Sequence, residues 1–246
     1  MLDVHPPHTA THTWRDFLLH IATICVGLLI AVGLEQSVEA VHRAHERREL
    51  IEDFRNECRK TIHLTGRNIT SYAADRDLQL ATIALLETTA PQGGVVSVEI
   101  PARPMPALTS APSRAVWSVA KSNGKVALLP ENVAEVFDRA DYEGAMFFAT
   151  TQTLLDKRSD TFAVADELQV SLQSRGLVRV KTENIHELAA AIGHQAETND
   201  LLVLWSSAWN GACKAVVDGV QSRDAMDAYI SRERATSMRK QPVSFH

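Results

Sequence analysis

FLLHIATICVGLLIAVGL, residues Phe17 to Leu34, decides how this chain is put together. Its 18 residues carry no formal charge. As an α-helix rising about 1.5 Å per residue they cover roughly 27 Å, the thickness of a bilayer's hydrocarbon core. A core helix of this length keeps a polar stripe, whereas here only His20, Thr23 and Cys25 interrupt the apolar run. His20 lies near the amino-terminal end, within reach of lipid headgroups; Trp14 and Arg15 precede the run as interfacial residues, and Glu35 and Gln36 close it. The stretch predicts a transmembrane helix over 17–34. No second run compares with it, since Leu201 to Trp205 is far too short to span, so a single-pass anchor is expected.

The competing reading is a cleaved signal peptide, for which Ala31 and Gly33 supply small residues two apart. Against it, the first 16 residues hold one Arg and two Asp, so there is no basic leading region, and the apolar run is longer than such peptides use. Arg43, Arg47, Arg48, Arg55, Arg59 and Lys60 follow the run while only Arg15 precedes it. The excess of basic residues on that side favours a cytoplasmic main domain, although long domains cross membranes largely regardless of charge. Thr23, Gly27 and Ala31 recur every four residues and put three small side chains on one face. That is the spacing through which two membrane helices approach closely, so a homodimer through this helix is an expectation, with the lipid bilayer as the other partner.

Outward from the span, residues 1–16 (with two prolines and three histidines in the first thirteen) read as an extended, disordered tail. Residues 35–88 read as a helical stalk that becomes the first bundle helix: no proline, a single glycine, and apolar residues such as Ile51, Phe54, Cys58, Ile62, Ile69 and Tyr72 at steps near three and four. In His42 to Glu57 the charges alternate in sign, the mark of a solvated helix face. Residues 89–112 hold five of the nine prolines and read as a loop, with a short strand at Val95 to Ile100. Over 113–238 helical patterns resume. One runs over SRAVWSVAKS and stops at Asn123 and Gly124; a second starts with Pro130 in its first turn and runs towards Gly176, with a break near Ser159; a last one, with Thr182 placed to cap it, runs from Glu183 to about Met238. Asn199, Gly211 and Gly219 are candidate bends in it, and Leu177 to Val180 carries a strand signal. Residues 239–246 form a tail. The expected fold is mainly α, a transmembrane helix followed by an antiparallel bundle of long helices.

Composition narrows the function by exclusion. The 246 residues carry 25 basic and 30 acidic side chains, a net charge of −5, so there is no electrostatic footprint for nucleic acid. Three cysteines without a Cys-x-x-Cys pair exclude a disulfide scaffold and a zinc ribbon. The mean hydropathy of −0.10 is an average over one charge-free span and a polar remainder.

No chemistry-bearing motif stands out. There is no G-x-S-x-G, no phosphate-binding glycine loop and no Walker sequence. Glu39-x-x-His42 and Glu183-x-x-His186 share the Glu-x-x-His spacing that di-iron bundles use. A chain rich in Glu and His produces that spacing by chance, so the expectation is surface polar residues, no metal and no cofactor. His5, His8 and His12 read as a polar tail, and His42 and His45 as surface residues. Cys58 and Cys213 fall on different helices with apolar neighbours and are expected as buried free thiols, or as a disulfide if the domain is exported. Trp117, Trp205 and Trp209 read as core.

His20 to Glu39, HIATICVGLLIAVGLEQSVE, resembles the start of uncharacterised bacterial single-pass membrane proteins in its Gly27-Leu28-Leu29-Ile30-Ala31 core and its acidic exit at Glu35. Trp117, Gly124, Leu128 and Tyr142 form a looser echo of the same proteins. The resemblance implies a bacterial inner-membrane topology and a mainly helical domain, and it transfers no functional residue. The function expected from all of this is a membrane-anchored interaction or sensing module without catalytic activity. The alternative is a membrane-anchored enzyme with a site between helices.

Overall fold

A computed structural model describes residues 14–100, 111–170 and 176–239. Most of the expected tail over 1–16, with His5, His8 and His12, lies outside them, as do Pro101, Pro104, Pro106 and residues 240–246. The chain is mainly helical: α1 (Trp14–Thr88), β1 (Val95–Ile100), α2 (Ala115–Ser122), α3 (Glu131–Glu167), β2 (Gly176–Lys181), α4 (Ile185–Val217) and α5 (Arg223–Arg239). Two compact units divide it, Met1–Glu49 and Leu50–His246. The expected stalk over 35–88 is thus cut at Leu50, the first buried residue of α1.

In the first unit every described residue from Trp14 through Arg43 is exposed. Its apolar part is long and apolar enough to cross a membrane and has no buried residue. Helix starts already at Trp14, so the last three residues of the expected tail are helical.

In the second unit α4 is the central helix. Eight consecutive residues, Ser206 to Cys213, are buried, which happens only when a helix is covered on every side. It runs antiparallel to its three neighbours. Asn210 bonds to Ile62 and Asn199 to Gln79 of α1, Thr161 of α3 bonds to Ala191, and Lys214 pairs with Glu233 of α5. α1 and α3 run parallel, as the ring contacts Phe54–Phe137 and Tyr72–Phe147 show. The main core gathers Phe54, Trp117, Phe137, Phe147, Leu202, Trp209 and Met226, with Trp205 only partly buried at its margin.

β1 and β2 pair antiparallel, from Val95 opposite Lys181 to Ile100 opposite Gly176. Alternation puts Val96, Val98, Val178 and Val180 on one face, where they close a second core with Leu86, Ala165, Leu188 and Ile192.

Three expectations about the helices need correction. The last helix does not run unbroken to Met238. It stops at Val217 because Gly219 takes φ 76°. The Gly219 and Val220 N–H groups then bond back to the Val216 and Ala215 carbonyls, a closed C-terminal cap that a left-handed residue makes possible. Gly211, by contrast, lies inside the continuous helix α4. A Cβ there would stand 2.9 Å from the Ile230 Cα and the Tyr229 carbonyl oxygen, so the glycine lets the α5 backbone lie against α4. The second correction concerns α3, which is continuous through Ser159 and ends at Glu167. Gln169 adopts φ 57°, and its N–H and that of Val170 bond back to Asp166 and Ala165 in the same cap geometry. Nor does Thr182 cap α4: its hydroxyl donates to the Gly94 carbonyl, tying the end of β2 to the turn before β1.

Candidate functional site

Two places concentrate what this chain could use. The first is the apolar segment itself. Leu19 and Leu29 are each 72% exposed, and Gly27 has nothing within 4 Å of where a Cβ would stand. Thr23 turns its hydroxyl back onto the Leu19 carbonyl at 2.8 Å, satisfying its own donor within the helix. The face of Thr23, Gly27 and Ala31 is open.

The second is the polar layer where residues 50–88 of α1 meet α4. Gln79 donates to the Gln195 side-chain Oε1 at 3.1 Å and accepts from the Asn199 side-chain amide at 2.9 Å. Asn210 donates to the Ile62 carbonyl at 2.8 Å and to the Thr65 hydroxyl at 2.9 Å. Arg76 spans from Asp77 to Asp200; burial works against its charge, but the two carboxylates outweigh that and hold it above the usual range. Between these levels Asn68 and Ser206 are buried, and neither the Asn68 amide nitrogen nor the Ser206 hydroxyl has a hydrogen-bond partner.

At one end of this layer a cavity of about 10 Å³ is lined by Glu57, Cys58, Thr61, Arg114, Asp141 and Cys213, among others. Its volume is that of about one water and excludes a substrate. The acids around it are spent on neighbours. Glu57 accepts from the Ser113 hydroxyl at 2.6 Å, and Asp141 takes Arg114 at 2.7 Å and Lys121 at 2.8 Å. Burial alone would raise the Asp141 carboxyl, yet the hydrogen bonds from Arg114 and Lys121 prevail and hold it below the usual carboxylate range. Glu143, fully buried on α3, pairs with Arg139 and with Arg234 of α5. There burial wins over both arginines, and the carboxyl sits above its ordinary value.

A more open groove of about 540 Å³ lies between α4 and α5, lined by Glu197, Asp200, Leu201, Ser207, Arg234 and Ser237 among others. Asp200 is committed to Arg76, and Ser207 donates to Ser237 at 2.7 Å. Arg234 lies over the Trp205 ring.

The Glu-x-x-His residues are exposed. Glu39 pairs with Arg43 within its own helix, and His42 lies 3.8 Å from Glu46. Glu183 lies 3.9 Å from Lys181 before α4 begins, and His186 is exposed in the first turn of that helix. Among the described residues no group of three or more His, Cys, Asp or Glu is arranged to hold a metal ion.

Cys58 and Cys213 are both buried and free, and they line the same cavity. Sequence reasoning missed the polar layer. The signal was there in Gln195, Asn199 and Asn210, which sit at helical spacing on one helix. No family, curated protein or solved structure matches the chain.

Proposed function

We propose that this chain is a single-pass protein of a bacterial inner membrane, anchored by residues 17–34, whose helical domain acts by binding or sensing rather than by catalysis. The reading rests chiefly on one observation. The apolar segment is uncovered on every face, and a patch of that size on a soluble protein would be an aggregation hazard unless a membrane or partner covers it. Support for binding over catalysis comes from the interior of the bundle, where the buried acids Glu57, Asp141 and Glu143 are each committed to hydrogen bonds or ion pairs. The basic residues from Arg43 to Lys60 favour a cytoplasmic domain. A second copy of the chain, packed along Thr23, Gly27 and Ala31, completes the proposal.

Alkaline carbonate extraction of membranes tests the anchor. The full chain stays with the lipid, and its release into the supernatant would overturn the reading. Protease protection in spheroplasts then reports the side of the domain. Gly27→Leu tests the second copy: self-association in membranes falls, and unchanged association removes the homodimer.

A further inference from the structure

The hydrogen bonds that join α1 to α4 also set their register. Asp200 faces Arg76, Asn199 faces Gln79, and Asn210 faces Ile62 and Thr65, so the antiparallel helices advance past one another turn by turn. One turn before Ile62 on α1 is Cys58. One turn after Asn210 on α4 is Cys213. The register therefore places the two thiols opposite each other. Both line the same one-water cavity beside Thr61, and they are 2% and 1% exposed.

We propose that Cys58 and Cys213 are a disulfide-forming pair that joins α1 to α4 across the bundle. The oxidant is a disulfide, either a small molecule or a protein dithiol oxidase. One cysteine thiolate attacks it, forming a mixed disulfide and expelling one thiolate. The second cysteine then attacks the mixed disulfide and expels the other. The two cysteines lose two protons and two electrons in all, and the oxidant is reduced to two thiols.

The surroundings decide when this happens. Burial first, and then the neighbouring Cys58 and Glu57, push the Cys213 thiol well above its ordinary value, so Cys213 holds almost no thiolate in the folded chain, and the burial of both cysteines keeps an oxidant from reaching them. Pairing is set while α4 docks onto α1, and the folded core then preserves whichever state was formed. A chain folded in an oxidising compartment keeps the bond, and one folded in a reducing cytoplasm keeps the dithiol. This holds whichever side of the membrane the domain occupies.

The test is to refold the full chain in detergent with reduced and oxidised glutathione, alkylate without reduction, and map the peptides. A peptide joining Cys58 to Cys213 is expected, with melting raised by about 10 °C over the reduced protein. Cys25→Ser, which lies in the apolar segment and leaves the bundle untouched, should refold with no titratable thiol. Cys58→Ser should abolish the link and the gain in melting temperature. A Cys25→Ser protein that melts cooperatively yet retains two alkylatable thiols, or carries glutathione on either cysteine, would overturn the pairing.

Discussion

Residues 17–34 and α4 are both helical and rich in apolar residues, and the chain treats them in opposite ways. In the first, every side chain is uncovered and the polar residues are confined to His20, Thr23 and Cys25. In the second, a run of eight residues is buried, yet it contains Ser206, Ser207 and Asn210, with Gln195 and Asn199 further back. The difference lies in what the surroundings can offer a polar group. A protein interior can supply a partner, as α1 does for Asn210 and Asn199, whereas the exposed run has no neighbouring segment to offer one, and Thr23 bonds back onto its own helix. Amide side chains such as Asn199 and Asn210, bonded to a second helix, thus mark a helix that packs inside the protein.

Exchanging charges between the two stretches is the strongest way to break this comparison. Leu28→Arg together with Leu29→Arg should cost about 6 kcal/mol of membrane insertion, moving the chain to the carbonate-soluble fraction while thermal melting of the bundle stays unchanged. Ala212→Arg on α4 should do the reverse, retaining membrane association and abolishing cooperative melting, because Ala212 is fully buried. A bundle that tolerates Ala212→Arg would contradict the central position of α4.

The glycines sharpen the contrast. Gly211→Ala forces a Cβ into the α5 backbone and should cost about 3 kcal/mol by denaturant titration. Gly27→Ala meets open space, and the same measurement should register no loss.

Electrostatics inside the bundle comes next. Asp141→Asn should cost about 2 kcal/mol at pH 7, since it removes charge-assisted hydrogen bonds from Arg114 and Lys121. The folded carboxyl titrates below its unfolded value, so its contribution is present above the ordinary carboxylate range and fades as pH falls through the folded value. The difference between wild type and Asp141→Asn should therefore narrow in acid. Glu143 has the opposite sign. Its folded value is raised, so stability is lost as pH climbs from the ordinary value through the folded one, and Glu143→Gln should flatten that part of the profile.

The smallest effects lie in the polar layer. Asn210→Ala should cost about 1 kcal/mol through its two lost hydrogen bonds. Ser206→Ala should stay within about 0.5 kcal/mol of wild type, because the hydroxyl it removes has no partner to lose.

Much of the architecture is legible in the sequence. The apolar span, the helix through to residue 88, the strand at Val95 to Ile100 and the stop at Gly124 follow from period, composition and turn chemistry. The end of α4 was not legible in the same way, because Gly211 and Gly219 look alike in sequence. One closes a helix in the left-handed region, and the other admits a neighbouring backbone. Gln169 hid the end of α3 for the same reason, since a non-glycine residue at positive φ carries no composition signal. Of the candidate residues, the face of Thr23, Gly27 and Ala31 could be drawn from spacing alone, whereas the polar layer required knowing that α4 faces α1.

By itself the sequence determined which segments are helical and that residues 17–34 suit a bilayer, because helix period and charge-free length are properties of a local stretch. Only the tertiary structure decided that α4 is the centre of the bundle, that the two valine-rich strands pair, and that Cys58 lies opposite Cys213. Each of these depends on how separate segments of the chain pack and register against one another, and no local periodicity encodes that register.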